Sequence, residues 1–182
     1  MKENELIRMD EVGRITIPQE MRKVLKLDGE RVVELHIEKE KLIIKKYSPA
    51  LSLGAVAEKT ASAAGDLSGA VCIICDTGKV LSCSSEALAE LKGKKISAEL
   101  LALIEAGQPA LINACDGGKL FDLCENYTFE YRAIAAVPLF LGVPIGCVLL
   151  AGTNKNDVFS DDEIKILKFA KALILSALDG NA

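Results

Sequence analysis

Between Val12 and Lys46 the chain compresses an alternating β-branched run, a proline-started basic helix and a charged hairpin into a stretch too short to bury a core alone. Such a unit needs a second copy to cover its apolar side. Val12-Gly13-Arg14-Ile15-Thr16-Ile17 alternates as a strand does, and Pro18 ends its ladder pairing. Pro18 also suits the first position of a helix, and Glu20 favours the positive end of its dipole. Met21, Val24 and Leu25 then form one apolar stripe, while Arg22, Lys23 and Lys26 lie off it. Asp28-Gly29 stops the helix. Val32 to Ile37 and Leu42 to Ile44 are expected as strands joined around Glu38-Lys39-Glu40-Lys41, which gives a β-helix-β-β plan.

The run Asp10-Glu11-Val12-Gly13-Arg14-Ile15-Thr16-Ile17-Pro18, followed by Glu20-Met21-Arg22-Lys23-Val24-Leu25, resembles the AbrB/SpoVT family of bacterial transition-state and sporulation regulators. The likeness continues through Glu34-Leu35-His36-Ile37 and Lys45-Lys46-Tyr47-Ser48-Pro49. It extends to the whole chain, because a longer, sensor-bearing branch of the family carries a second domain of this size. The resemblance implies a dimeric swapped-hairpin β-barrel, made by two intertwined chains, that binds double-stranded DNA through arginines. The family's DNA-contacting positions fall on Arg14, Arg22 and, as a lysine, Lys23. Arg8 transfers less directly: the chain is one residue shorter between the first basic position and Asp10, and a one-residue shift turns a strand side chain to the other face. Lys26, Lys45 and Lys46 divide between solvation and phosphate contact. The alternative for Arg14, Arg22 and Lys23 is a charged surface that keeps the dimer soluble.

Charge alone does not announce a nucleic-acid protein, since the formal net charge is -4. It is unevenly spread. Residues 1–47 carry 11 Lys and Arg against 10 Asp and Glu, whereas residues 48–182 carry 11 against 16. A small module whose positive charge folding gathers on one face fits that distribution. Half of the residues are hydrophobic, so a sizeable core is available to the remainder. No apolar run is long enough to span a membrane, and Met1-Lys2-Glu3-Asn4-Glu5 lacks signal-peptide character, so a soluble, cytoplasmic protein without a membrane partner is expected.

Six cysteines stand at positions 72, 75, 83, 115, 124 and 147. In the cytosol they are expected as thiols. Cys72 and Cys75 have the spacing of half a zinc site but sit in a strand-like run, where residues three apart project to opposite faces; a second such pair is absent. They serve as small buried hydrophobes, with redox sensing and metal or cluster binding as the alternatives. No cofactor is called for.

Ser48 and Pro49 mark a boundary, as N-cap and first residue of a helix running to about Gly65. The expected domains are 1–47, a connecting helix 48–66, and 67–182. In the last, Val71 to Cys75 and Val80 to Cys83 flank the turn Asp76-Thr77-Gly78-Lys79. A helix follows from Ser97 to Ala106, a strand from Ala110 to Ala114, and two apolar strands, Arg132 to Leu141 and Val143 to Ala151, turn at Gly142. Ser160-Asp161-Asp162-Glu163 is a capping box opening a final helix to about Leu178, apolar nearly all round, so that one face meets the sheet and another a second chain. The fold class is α+β, an antiparallel sheet with helices packed at its face.

This order, with Val137-Pro138-Leu139 and Gly142-Val143-Pro144-Ile145-Gly146-Cys147-Val148, resembles a GAF domain. GAF domains commonly bind a small molecule between the sheet and an overlying helix and loops; here Asp116 to Glu130 would be the roof. Candidate ligand residues are Asn113, Cys115, Phe121, Cys124, Tyr127 and Phe129, which flank the long irregular stretch. The alternative is that the aromatics only close the core under a loop. Walker, Gly-x-Gly-x-x-Gly and Gly-x-Ser-x-Gly signatures are missing, and the lone His36 lies in an expected strand. The favoured expectation is therefore a non-enzymatic regulator, dimeric through its first domain and tetrameric through its second, with an unidentified small-molecule effector. Two alternatives remain: a cysteine redox enzyme like the GAF-type methionine sulfoxide reductases, using Cys83, Cys115 and Cys124, and an antitoxin-like module.

Overall fold

The computed structural model describes residues 6–24, 33–46 and 49–179. The expected Leu25 and Lys26 positions, the Asp28-Gly29 helix stop and the Ser48 cap lie outside them. The chain divides between Ser48 and Pro49 into two compact units.

In the first unit a short helix, α1 (Gln19–Val24), opens behind Pro18, whose carbonyl accepts the Arg22 N–H at 3.0 Å. Strands β1 (Val33–Glu38) and β2 (Lys41–Lys46) pair antiparallel as a hairpin whose turn holds Lys39 at φ 55°. The register sets Leu35 opposite Ile44 and Ile37 opposite Leu42 on one face. Residues 14–18 form no strand, contrary to expectation. A strand exists only against a neighbour, and none of the described residues of the same chain pairs with this segment. The apolar face of the hairpin is left open: Leu35 is 62% exposed, Ile37 81% and Leu42 52%, and α1 buries no residue.

The second unit is a GAF-like α+β fold. The long helix α2 (Pro49–Ser68) leads to β3 (Val71–Asp76) and β4 (Val80–Cys83), a 3-10 turn (Glu86–Leu91), α3 (Ala98–Ala106) and β5 (Ala110–Asn113). After a one-turn 3-10 segment (Ala114–Asp116) and an irregular stretch come β6 (Ala133–Leu141), β7 (Val143–Gly152) and α4 (Asp161–Asp179). The five strands order as β4-β3-β7-β6-β5, antiparallel throughout.

Both faces of the sheet are covered. On one side Ile73, Cys75, Cys147, Leu149, Ile134 and Ala136 meet Leu91, Ile96, Leu100, Ile104, Leu123 and Tyr131 from α3 and the loops. On the other, α2 and α4 pack side by side against the strands, with Ala57, Ala61 and Ala64 of α2 and Leu167, Ala170 and Ile174 of α4 buried. α2 runs three residues past its expected end because Gly65 is a contact residue and not a stop: a Cβ there would lie 2.6 Å from Ser84 Oγ. The expected caps are present. Ser97 accepts the Leu100 N–H at 3.1 Å, and the Ser160 N–H donates to Glu163 Oε2 at 2.6 Å. At the β6–β7 turn Gly142 takes φ 71°.

Candidate nucleic-acid interface and small-molecule grooves

The basic residues of the first unit are presented by short, locally braced elements. Arg8, Arg14, Arg22 and Lys23 are all exposed, and Lys26 lies outside the described residues. Arg14 is the most tightly held. Asp10 Oδ1 accepts the N–H groups of Val12 at 3.0 Å and Arg14 at 2.7 Å, while Oδ2 accepts from Arg14 Nε at 2.8 Å. The backbone closes the same loop, with Asp10 N–H bonded to the Arg14 carbonyl and Gly13 N–H to the Asp10 carbonyl, both at 3.0 Å. Gly13 at φ 84° makes the bend that brings these groups together. The Arg14 N–H, followed by its guanidinium, lowers the Asp10 pKa, so the carboxylate stays ionised. Asp10 is the residue of this loop that sequence reasoning left without a role. Its signal was present, because an Asp three residues before a Gly in a turn is a side-chain-to-backbone acceptor.

The six candidate ligand residues of the second unit do not converge on one cavity. Asn113 is buried and used: its Nδ2 donates to the Phe159 carbonyl at 3.0 Å and its Oδ1 accepts the Phe159 N–H at 2.8 Å. Cys124 is buried in the core, and the Tyr127 ring lies under Lys94 Nζ at 4.7 Å. Phe121 and Phe129 line one open groove of about 540 Å³, with Lys119, Thr128, Glu130, Tyr131 and Arg132. Cys115 lines another of the same size, with Arg132, Lys155 and Asp157. Tyr131 pins the roof. Its hydroxyl donates to the Phe121 carbonyl and accepts the Phe121 N–H at 3.3 Å, and its ring sits 5.5 Å from that of Phe129. Beneath the roof, Leu123, Cys124 and Tyr131 join the core cluster, with Phe121, Tyr127 and Phe129 packed against it.

The thiols are poor nucleophiles. Burial raises Cys72 and Cys147 to about 12 and Cys75 well above its ordinary value. Desolvation raises Cys83, Cys115 and Cys124 as well, with the Asp116 carboxylate adding to the effect at Cys115. Cys75 joins the α3-facing core cluster and Cys72 does not, as the strand alternation requires. Among the described residues, no three or more His, Cys, Asp or Glu are placed to hold a metal ion, and no helix is long and apolar enough to cross a membrane. Lys92 pairs with Glu58 and Lys95 with Glu125 on the surface.

Residues 52–177 match the family described as stage V sporulation protein T C-terminal, transcription factor. The chain belongs to this family. Along 174 residues it is 25% identical to stage V sporulation protein T of Bacillus subtilis (strain 168), covering 94% of this chain and 95% of that protein. Over 50 residues it is 40% identical to the transition state regulatory protein AbrB of the same strain, covering 27% of this chain and 52% of that protein. The fold matches the GAF domain of an Acinetobacter phosphoenolpyruvate-protein phosphotransferase, with a TM-score of 0.57 at 12% identity over 70% of this chain and 82% of that one. At that identity the likeness speaks for the fold alone. The family model, whose description is a transcription factor, thus covers the GAF-like second unit.

Proposed function

We propose that the chain is a DNA-binding transcription regulator of the transition-state or sporulation type. Two copies of residues 1–47 would close into a swapped-hairpin barrel that presents Arg14, Arg22 and Lys23, with Arg8 and Lys26 beside them, to one duplex. The observation that carries this reading is the open apolar face of the hairpin. Leu35, Ile37 and Leu42 are exposed in a single chain that is similar to two bacterial regulators, and burying such side chains is worth about 1.5–3 kcal/mol each. Arginines repeated by the symmetry of a dimer would add their counterion release, making affinity steeply salt-dependent.

The second unit would join dimers into a tetramer through the outer face of α2 and α4. Leu67, Phe169 and Leu173 are exposed there beside a shallow apolar groove. A small-molecule effector would enter the groove between Phe121 and Phe129, whose charged rim includes Lys119, Glu130 and Arg132. It could change DNA affinity only by binding one arrangement of the paired second units more tightly than another, with α2 as the connecting element. The redox-enzyme alternative is not favoured: of its three thiols Cys124 is buried, Cys83 half-buried and Cys115 exposed, and all three are held above the ordinary thiol pKa, which leaves little thiolate to attack.

The test is footprinting of the full chain on genomic fragments together with sedimentation equilibrium. Protected promoter sites bound by an even-numbered assembly support the reading. A stable single protomer without protection overturns it.

A further inference from the structure

We infer that Asp10 is a specificity-determining residue, holding Arg14 so that it engages guanine edges in preference to phosphate. The inference rests on the proposed DNA-binding role and deepens it. Asp10 takes Arg14 through Nε alone, on one carboxylate oxygen, while the other oxygen is occupied by the two backbone N–H groups of the loop. The guanidinium has five N–H donors. The four on Nη1 and Nη2 remain, and they form the end-on edge that forks onto guanine O6 and N7.

Two consequences follow from the charge and the geometry. The side chain is 78% exposed, so without Asp10 it would sample many rotamers and lose that freedom on docking. Held by Nε, it is already aimed. The carboxylate also stands beside the arginine's donors, where it repels a charged phosphate oxygen more strongly than a base acceptor, which carries only partial charge. An exposed ion pair of this kind adds little to folding stability. Its value lies in choosing what the arginine binds.

Asp10→Asn is the informative change, because its Oδ1 still accepts both loop N–H groups while the negative charge is gone. The probes are duplexes enriched by the wild-type full chain from a random pool, compared with the unselected pool. For Asp10→Asn the ratio of the two affinities is expected to fall about tenfold, the loss of one well-aimed bidentate contact. Binding to unselected DNA should strengthen and its log-affinity against log-salt slope should steepen by about one per engaged copy. In an Arg14→Ala background the same substitution should leave the ratio unchanged. A parallel loss on both kinds of DNA, an unchanged ratio with Arg14 present, or a change in the ratio that persists without Arg14 would make Asp10 a loop brace and overturn the inference. If Arg14→Ala weakens binding while Asp10→Asn leaves the ratio intact, only this inference fails. If the wild-type chain enriches nothing from the pool, the DNA-binding reading fails and takes this inference with it.

Discussion

Asn113, at the end of β5, holds both polar groups of the Phe159 backbone at once, accepting its N–H at 2.8 Å and donating to its carbonyl at 3.0 Å. One amide thus ties an edge strand to the segment that enters α4. Truncation leaves two buried backbone groups without partners, and Asn113→Ala should destabilise the second unit by about 2 kcal/mol. Urea unfolding followed by far-ultraviolet circular dichroism measures it. A loss below a few tenths would return Asn113 to the list of free ligand groups.

Gly146 stands where no side chain fits. A Cβ there would lie 2.1 Å from the Cys75 carbonyl oxygen, where β7 pairs with β3 and Gly146 stands opposite Asp76. Gly146→Ala should cost about 3 kcal/mol or more, visible as a fall in the thermal midpoint or as insolubility. Gly117→Ala is the control: it meets nothing within 4 Å and bears only the strain of its φ of 76°.

Arg14→Ala and Arg22→Ala should each weaken DNA binding by about 1–3 kcal/mol per contacting copy while leaving the circular dichroism spectrum unchanged. Both side chains are exposed and bury nothing. Mobility-shift titration at two salt concentrations gives the loss and the change in slope together.

Phe169→Glu combined with Leu173→Glu should dissociate any tetramer into dimers without unfolding either unit, because the two side chains are 65% and 44% exposed. Sedimentation equilibrium resolves the two species. An unaltered mass would move the dimer–dimer contact elsewhere.

Alkali should unfold the second unit progressively from about pH 9. The buried Cys147 and Cys72 keep their protons to about 12, while in the unfolded chain they ionise near 9.0. Between those values the native state binds more protons than the unfolded one, so stability falls as pH rises, by about 1.4 kcal/mol per pH unit per thiol. Cys147→Ala should flatten the slope between pH 9 and 11. Stability curves parallel to the wild type would contradict the assignment.

Much of the second unit was legible because its signals are local. The capping box at Ser160 and Glu163, the N-cap at Ser97 and the turn at Gly142 each place an element boundary within one or two residues. Long-range geometry was not legible. Gly65 reads as a helix terminator until the approach of Ser84 shows it as a contact. The candidate ligand set failed to gather for the same reason: Asn113, Cys115 and Tyr127 are near in sequence, yet pairing with Phe159, exposure on a 3-10 turn and stacking under Lys94 send them to three different places. In the first unit the strand expected from Val12 to Ile17 has an alternating pattern but, among the described residues of one chain, no neighbour to pair with, a partner that periodicity alone cannot supply.

The buried side of α2 carries Ala57, Ala61, Ala64 and Gly65, residues with at most one methyl to trim. Mutational drift at these four places therefore runs mainly toward bulk, and added methyls would lift the rod off its bed. The outer side, ending in Leu67, has no such ceiling. Divergent members should differ in how they assemble long before they differ in how that rod is seated.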